Sequence, residues 1–357
     1  MNTKGCMIKR IGFACKWLND PSECGGMKVN AVDRDLNGRS TTMRWLREHP
    51  EQAEQRQWDI MNHNTTAAVK LIERVATLPP ERRMVRLGSE MLQGYTEKDW
   101  QAWWQQADVQ RHLERIFAPI GETARRLDVR ISFHPGQFCV LASENDNIVN
   151  RSIEEFEYHA DMARWMGYGS TFQDFKINVH ISGKRGPAGI RSALQRLSPE
   201  ARNCITIEND EMSWGLDSSL ELADDVALVL DLHHHWIRTG EYINSQDDRI
   251  KRVIDSWRGV RPVIHYSTSR EDVVVGHTDT VRPDLDALLA AGYKKQKLRA
   301  HSDFAWNQET NAWALTHWSW ADIMVEAKGK NLASQQLYEQ SLAQTVVEKD
   351  HASLLLA

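Results

Sequence analysis

Imidazoles and carboxylates recur at the ends of short apolar runs in this chain. His134 ends one such run, His180 the next and Glu208 a third. Asp231 ends a fourth with His234 just beyond it, His265 a fifth and Glu326 a sixth. Six such groups drawn together, with no thiolate among them, make a site for Mn²⁺, Zn²⁺ or Fe²⁺ and not for a structural zinc of the cysteine type. They exceed what one ion needs, so a cluster of two or three is expected. Neighbouring divalent ions turn a bound water into a nucleophile and share the charge on the attacking and leaving oxygens, which suits cleavage of a phosphate ester. A lone histidine at a strand end is more often a hydrogen-bonded residue than a ligand, so the reading rests on the set. Two features stay open. The HHH of 233–235 sends only some of its rings to one side if it continues a strand. His301 and Asp303 belong to HSD, which reads equally well as a polar loop.

These side chains converge only if parallel strands bring the run ends to one face. Eight runs have the length and β-rich composition required: 8–14, 84–88, 128–134, 175–181, 204–208, 226–232, 261–266 and 322–327. Helical spacing of apolar residues appears between them, at 57–76 through Ile60, Ala67, Val69, Leu71 and Ile72, and at 109–127 through Leu113, Ile116, Phe117, Ile120 and Ala124. A further helix over 152–166 opens on Ser152 and Glu155 in capping-box spacing, and another over 280–291 follows Thr280. Eight strands alternating with helices predict an α/β fold of the (β/α)₈ TIM-barrel class, whose site is built at the C-terminal ends of its strands. A doubly wound sheet would place a glycine-rich turn after the first strand, where this chain has Cys15, Lys16 and Trp17. No linker or repeat divides residues 1–357, so a single domain is expected. Within it 19–42 reads as a polar loop, and 293–320, rich in Trp, Asn and Lys, as an insertion before the last strand.

The composition, 41% hydrophobic and 26% charged, is ordinary for a soluble globular protein. No run of eighteen apolar residues predicts a membrane helix. The basic start lacks the apolar core of a signal peptide. Cys6, Cys15, Cys24, Cys139 and Cys204 are odd in number and form no CxxC pair, which fits a reducing cytoplasm. The net charge of −5 neither requires nor excludes a nucleic-acid partner, because binding needs one basic face and bound metals add positive charge locally.

HPGQF (134–138), INVH (177–180), IEND (207–210), DLHHH (231–235), RPVIHYS (261–267), RAHSD (299–303) and MVEAKGK (324–330) resemble, in order and across most of the chain, the UV damage endonuclease family. RIGFA (10–14) and the threonines 41–42 look like its amino-terminal pattern. The resemblance implies an endonuclease IV-like barrel with a trinuclear metal site, using manganese readily. It implies a first metal on His134, His180 and Glu208, and a second bridged by Glu208 and completed by Asp231, His265 and Glu326. The third would take His234 and His301, with Asp303 as a further candidate; Glu208, Glu326 and His234 are the expected catalytic members. The implied reaction is hydrolysis of the phosphodiester immediately 5′ to a cyclobutane dimer or 6-4 photoproduct in double-stranded DNA, by a monomer. Gln137 and Phe138 are the candidates for a wedge filling the gap left by the lesion, with Phe13 as a second aromatic contact. Lys328 and Lys330 are candidate phosphate contacts, as are Lys294, Lys295, Lys297 and Arg299.

Three departures from the family pattern stand out. Phe13 and Phe138 replace tyrosines, and the Trp-rich stretch is long. Val263 stands where relatives commonly carry a lysine two residues before the seventh-strand histidine, which predicts a weaker third metal. Three alternatives share these residues: an abasic-site endonuclease of the endonuclease IV type, a sugar isomerase with a closed pocket, and a damaged-DNA-binding protein that has lost catalysis.

Overall fold

Isoleucine, valine and methionine crowd the eight short runs, and each run contains a strand. The computed structural model describes residues 8–20 and 32–355. Its strands are β1 (Ile11–Ala14), β2 (Met84–Arg86), β3 (Arg130–Phe133) and β4 (Lys176–His180), followed by β5 (Ile205–Glu208), β6 (Ala227–Val229), β7 (Val263–Tyr266) and β8 (Asp322–Val325). They form one parallel sheet in the order β6-β5-β4-β3-β2-β1-β8-β7. Between β6 and β7 the barrel closes through a single bridge, Asp231 to His265, supported by the His265 amide donating to the Leu230 carbonyl at 3.0 Å. Two of the expected metal ligands thus form the seam.

Alternation along each strand separates two environments. Ile177, Val179, Ile205, Ile207, Ile264 and Ile323 face the helical layer and join the large outer core. Ala14, Met84, Ala227, Val229, Val263 and Met324 make a second apolar cluster with Trp257. Gly12 lets β1 lie close to β2, since a Cβ there would stand 2.5 Å from the Met84 carbonyl oxygen. At the N-terminal end of the barrel, fully buried Asp322 accepts from the Arg10 amide and Arg130 Nη1, each at 2.8 Å, and from Arg261 Nε at 2.7 Å.

Several boundaries differ from expectation for local reasons. The expected helix over 57–76 starts at Pro50, whose missing N–H costs nothing at a first helical position. The capping box at Ser152 is a correction: the helix spans Asp146–Trp165, capped by Asn145. Ser152 sits inside it, its hydroxyl accepting from Val140 N and donating to Ile148 O. The helix expected after Thr280 begins at Leu285, where Asp284 caps the Ala287 amide at 2.8 Å. The strand expected over 226–232 stops at Val229 because Asp231 caps a helix, Leu232–Thr239, through the His234 amide at 2.7 Å. Of the polar stretch 19–42, residues 21–31 lie outside the described residues, as do Cys6 and Cys24.

The Trp-rich stretch belongs to the β7–β8 crossover, with helices at Lys295–Leu298 and Gln308–Thr316. Its indoles tie it to the barrel: Trp306 donates to Ser269 O, Trp313 to Ile243 O and Trp318 to Arg10 O. Among the described residues no helix is long and apolar enough to cross a membrane.

Asp322 is the fully buried anion that two half-buried arginines share, and breaking a buried pair typically costs about 3–5 kcal/mol, an upper bound here. Asp322→Ala is expected to destabilise the fold by that order in urea unfolding. A loss below about 1 kcal/mol would show that the arginines find other partners.

Candidate metal centre

Register sets the geometry from below: His180 at the end of β4 pairs with Glu208 at the end of β5. Glu208 is fully buried and stands at the centre. Its Oε2 lies 3.4 Å from His134 Nε2 and 3.8 Å from His180 Nε2, and its Oε1 lies 3.1 Å from His265 Nδ1 and 3.5 Å from His234 Nδ1. His265 Nδ1 is also 3.1 Å from Glu326 Oε1. Three overlapping groups have ligand atoms close enough to share an ion: His134 with His180 and Glu208; Glu208 with Asp231 and His265; His134 with His265 and Glu326. His234 follows Asp231 by one helical turn, so the D-x-x-H spacing works through a helix and not through strand alternation.

The histidines are anchored from outside. His134 Nδ1 contacts the Pro135 carbonyl at 2.8 Å, His301 Nδ1 that of Glu326 at 2.8 Å, and His234 Nδ1 that of Asn209 at 3.0 Å. His180 Nδ1 faces the Asp210 carboxylate at 3.6 Å, and His265 Nε2 contacts Lys176 Nζ at 2.9 Å. Metal-binding histidines are held in this manner, one ring nitrogen occupied by a supporting group and the other presented. On the inner side, Glu208 Oε1, Asp231 Oδ2 and His265 Nδ1 are buried without a hydrogen-bond partner. Buried polar atoms rarely stay unpaired, and these three belong to one of the candidate ligand groups. The donor set of imidazoles and carboxylates fits a borderline divalent ion.

The charges agree. Burial alone would raise Glu208, but His265, His180 and His134 hold its carboxyl well below the usual range. Burial likewise opposes ionisation of Glu326, and Arg86 with His265 overcomes it. Asp231 then faces two anions from a buried position and is pushed up to about 7. Burial lowers His134 to about 4, whereas His234, despite burial, is raised to about 10 by Asp231, Glu208 and Glu211. A site that must leave one carboxyl protonated near neutrality is short of positive charge.

A cleft of about 250 Å³ lies over these groups, with Gln137, Glu211, Arg299 and His301 on its walls. Phe138 beside it is 84% exposed, free to meet a large ligand. Phe13 is a correction. It faces the helical layer, is 1% exposed and packs edge-on against Trp17, so its ring has no face to offer DNA. Asp303 is not drawn into the cluster: its side chain is exposed and pairs with Lys328 at 3.5 Å. Lys330 is half-buried close to Arg86 and Glu326, its pKa lowered chiefly by burial.

Six supporting residues escaped the sequence reading. Asn178 donates to Glu208 Oε2 and Arg86 pairs with Glu326. Glu211 bridges Arg299, at 2.8 Å, to His234 at 3.6 Å. Lys176, Asn209 and Asp210 anchor histidines. A period of two counted back from His180 marks Asn178 and Lys176, and Arg86 ends its own strand as the ligands end theirs.

Residues 23–352 match the family described as UV-endonuclease UvdE. The chain belongs to this family. A UV DNA damage endonuclease of Bacillus velezensis is 26% identical over 234 residues, covering 63% of this chain and 65% of that protein. A UV-damage endonuclease of Schizosaccharomyces pombe is 28% identical over 213 residues, covering 53% and 35%. The matches therefore span less than two thirds of either relative. In fold, the UvdE-family chain resembles the crystal structure of SacUVDE, with a TM-score of 0.69, 21% identity and coverage of 94% and 98%. Endonuclease IV from Thermus thermophilus shares the barrel at a TM-score of 0.50 and 11% identity, covering 79% and 94%.

The raised Asp231 gives a signed expectation. Folded protein keeps this proton up to about pH 7, while the unfolded chain releases it near the ordinary 3.8. Between these values the folded state binds more protons, so this group makes metal-free protein less stable as pH rises. Asp231→Asn is expected to flatten that fall in melts of metal-free protein between about pH 4.5 and 7.5. An unchanged slope would remove Asp231 as its source.

Proposed function

We propose that this UvdE-family chain is a metal-dependent DNA endonuclease that hydrolyses the phosphodiester immediately 5′ to UV photoproducts, leaving a 3′-hydroxyl. The observation that carries the metal reading is the convergence of Glu208 Oε1, Asp231 Oδ2 and His265 Nδ1 in one group of ligand atoms, each buried and none in a well-formed hydrogen bond. The substrate comes from the family. His134, His180 and Glu208 would hold one ion, and Glu208, Asp231, His265 and Glu326 a second. His234 and His301 would hold a third, and Mn²⁺ is the ion favoured. When bound, such a cluster supplies a water acidic enough to attack phosphorus and offsets charge on the phosphate oxygens.

The protein's own groups explain the remainder. Glu208 and Glu326 disfavour a phosphate group close to them, and bound cations would offset that charge. Arg299 is held at the cleft by Glu211, and Lys328 lies exposed after β8; both suit backbone phosphates, which position a duplex without reading its sequence. Gln137 and Phe138 form the wedge. A photoproduct pairs and stacks poorly, so opening the duplex there costs less than at an intact pair, which gives selectivity without base readout. The exposed Phe138 and open cleft favour a macromolecular substrate over the small sugar an isomerase would enclose.

The test is an end-labelled duplex carrying one cyclobutane dimer, incubated with Mn²⁺ or with EDTA beside undamaged and abasic duplexes. A Mn²⁺-dependent nick 5′ to the dimer is expected, with Glu208→Gln lowering kcat at least about 100-fold through lost metal-borne charge stabilisation. Cleavage of the abasic duplex alone would transfer the assignment to an abasic-site endonuclease. Dimer binding without cleavage would make this a binding protein.

A further inference from the structure

Beneath the metal centre, the barrel interior holds a residue that packing alone would exclude. Lys176, on β4, is 3% exposed, and its Nζ lies 2.9 Å from Nε2 of His265. Among the described residues no carboxylate lies within ion-pair distance of it, so this lysine is buried without the partner that usually compensates such a group. The other histidines of the centre are fixed by backbone carbonyls or by Asp210. His265 has neither: its Nε2 edge meets only the lysine, and its Nδ1 edge faces Glu208 and Glu326 at 3.1 Å each. Along β4 the interior-facing side chains each set one member of the cluster. Lys176 touches His265, Asn178 holds Glu208 while accepting from Thr206 at 2.8 Å, and His180 faces the cluster itself.

We propose that Lys176 is a positioning residue of the metal centre: as a neutral amine its Nζ accepts from His265 Nε2–H, which fixes the ring with the unprotonated Nδ1 pointing between Glu208 and Glu326. It reaches His265 from across the barrel, so Val263 on His265's own strand leaves no amine missing at this histidine. The inference rests on the metal reading of the site.

The test is calorimetric titration of Mn²⁺ into metal-free wild-type protein and Lys176→Met, with ¹⁵N-histidine NMR of His265, dimer-cleavage kinetics and thermal melts. Removing an outer partner of a metal ligand typically costs about 10–100-fold in affinity or activity. Lys176→Met is expected to weaken Mn²⁺ binding and kcat by that factor, shift the His265 ring signals and leave KM for DNA unchanged. Its melting temperature should hold or rise, since a buried amine has been replaced by an apolar chain; a merely structural lysine would lower it. Wild-type Mn²⁺ binding in a folded Lys176→Met overturns the proposal. Failure of the wild-type protein to bind Mn²⁺ overturns the metal reading itself. Should Lys176→Met not fold, Lys176→Met with Val263→Lys returns an amine to the interior from β7, about 6–7 Å along the strand from His265. Mn²⁺ affinity in that double variant equal to that of Val263→Lys alone supports the role, and a folded double variant that binds more weakly than Val263→Lys contradicts it.

Discussion

Glu208, Asp231 and Glu326 are carried to one point inside a protein by strands that leave them no room to separate, and three carboxylates so placed cannot all stay ionised without cations. The metal-free protein handles this by distributing protons and partners. Glu208 and Glu326 stay charged against histidines and Arg86, while Asp231 is driven towards its neutral form. That distribution leaves polar atoms of the centre unpaired. A divalent cluster would answer both deficits, of charge and of partners, and the surrounding structure is arranged to keep the ligand atoms facing inward until it does.

The same residues serve the fold. Asp231 caps the helix after β6, and with His265 it makes the bridge across the seam of the barrel. An ion held by Asp231 and His265 would therefore link metal binding to barrel closure at one pair of residues. At the opposite end Asp322 gathers Arg130 and Arg261. The barrel is therefore pinned at its base by a paired anion and left electrostatically incomplete at its mouth. This polarity fits the general division of the fold, in which the strand N-termini carry stability and the C-termini carry chemistry.

Much of this was legible in the sequence. The strand runs were readable because β-branched and apolar residues were bounded by polar segments, and the ligands because they sat at the ends of those runs. Faces were harder. Phe13 occupies the expected strand, but whether its ring points to the mouth or to the helices depends on a one-residue register that RIGFA does not specify. Lys176 and Asn178 lie in a run that reads as buried β, and polar residues there acquire meaning only from what stands across the barrel. Ser152 has the spacing of a cap, yet its hydroxyl serves Val140 and Ile148, a tertiary arrangement with no local signal. The HHH triplet shows the same limit: Asp231 ends the strand and makes His234 a helical residue, a change that the apolar run 226–232 conceals.

A crystal structure grown with Mn²⁺ and measured at its absorption edge tests most directly whether the inner atoms of Glu208, Asp231 and His265 are metal ligands. At least two anomalous peaks are expected, one of them within about 2.0–2.4 Å of Glu208 Oε1, Asp231 Oδ2 and His265 Nδ1. Water or direct hydrogen bonds satisfying those three atoms, with no anomalous peak among them at saturating Mn²⁺, would contradict that role.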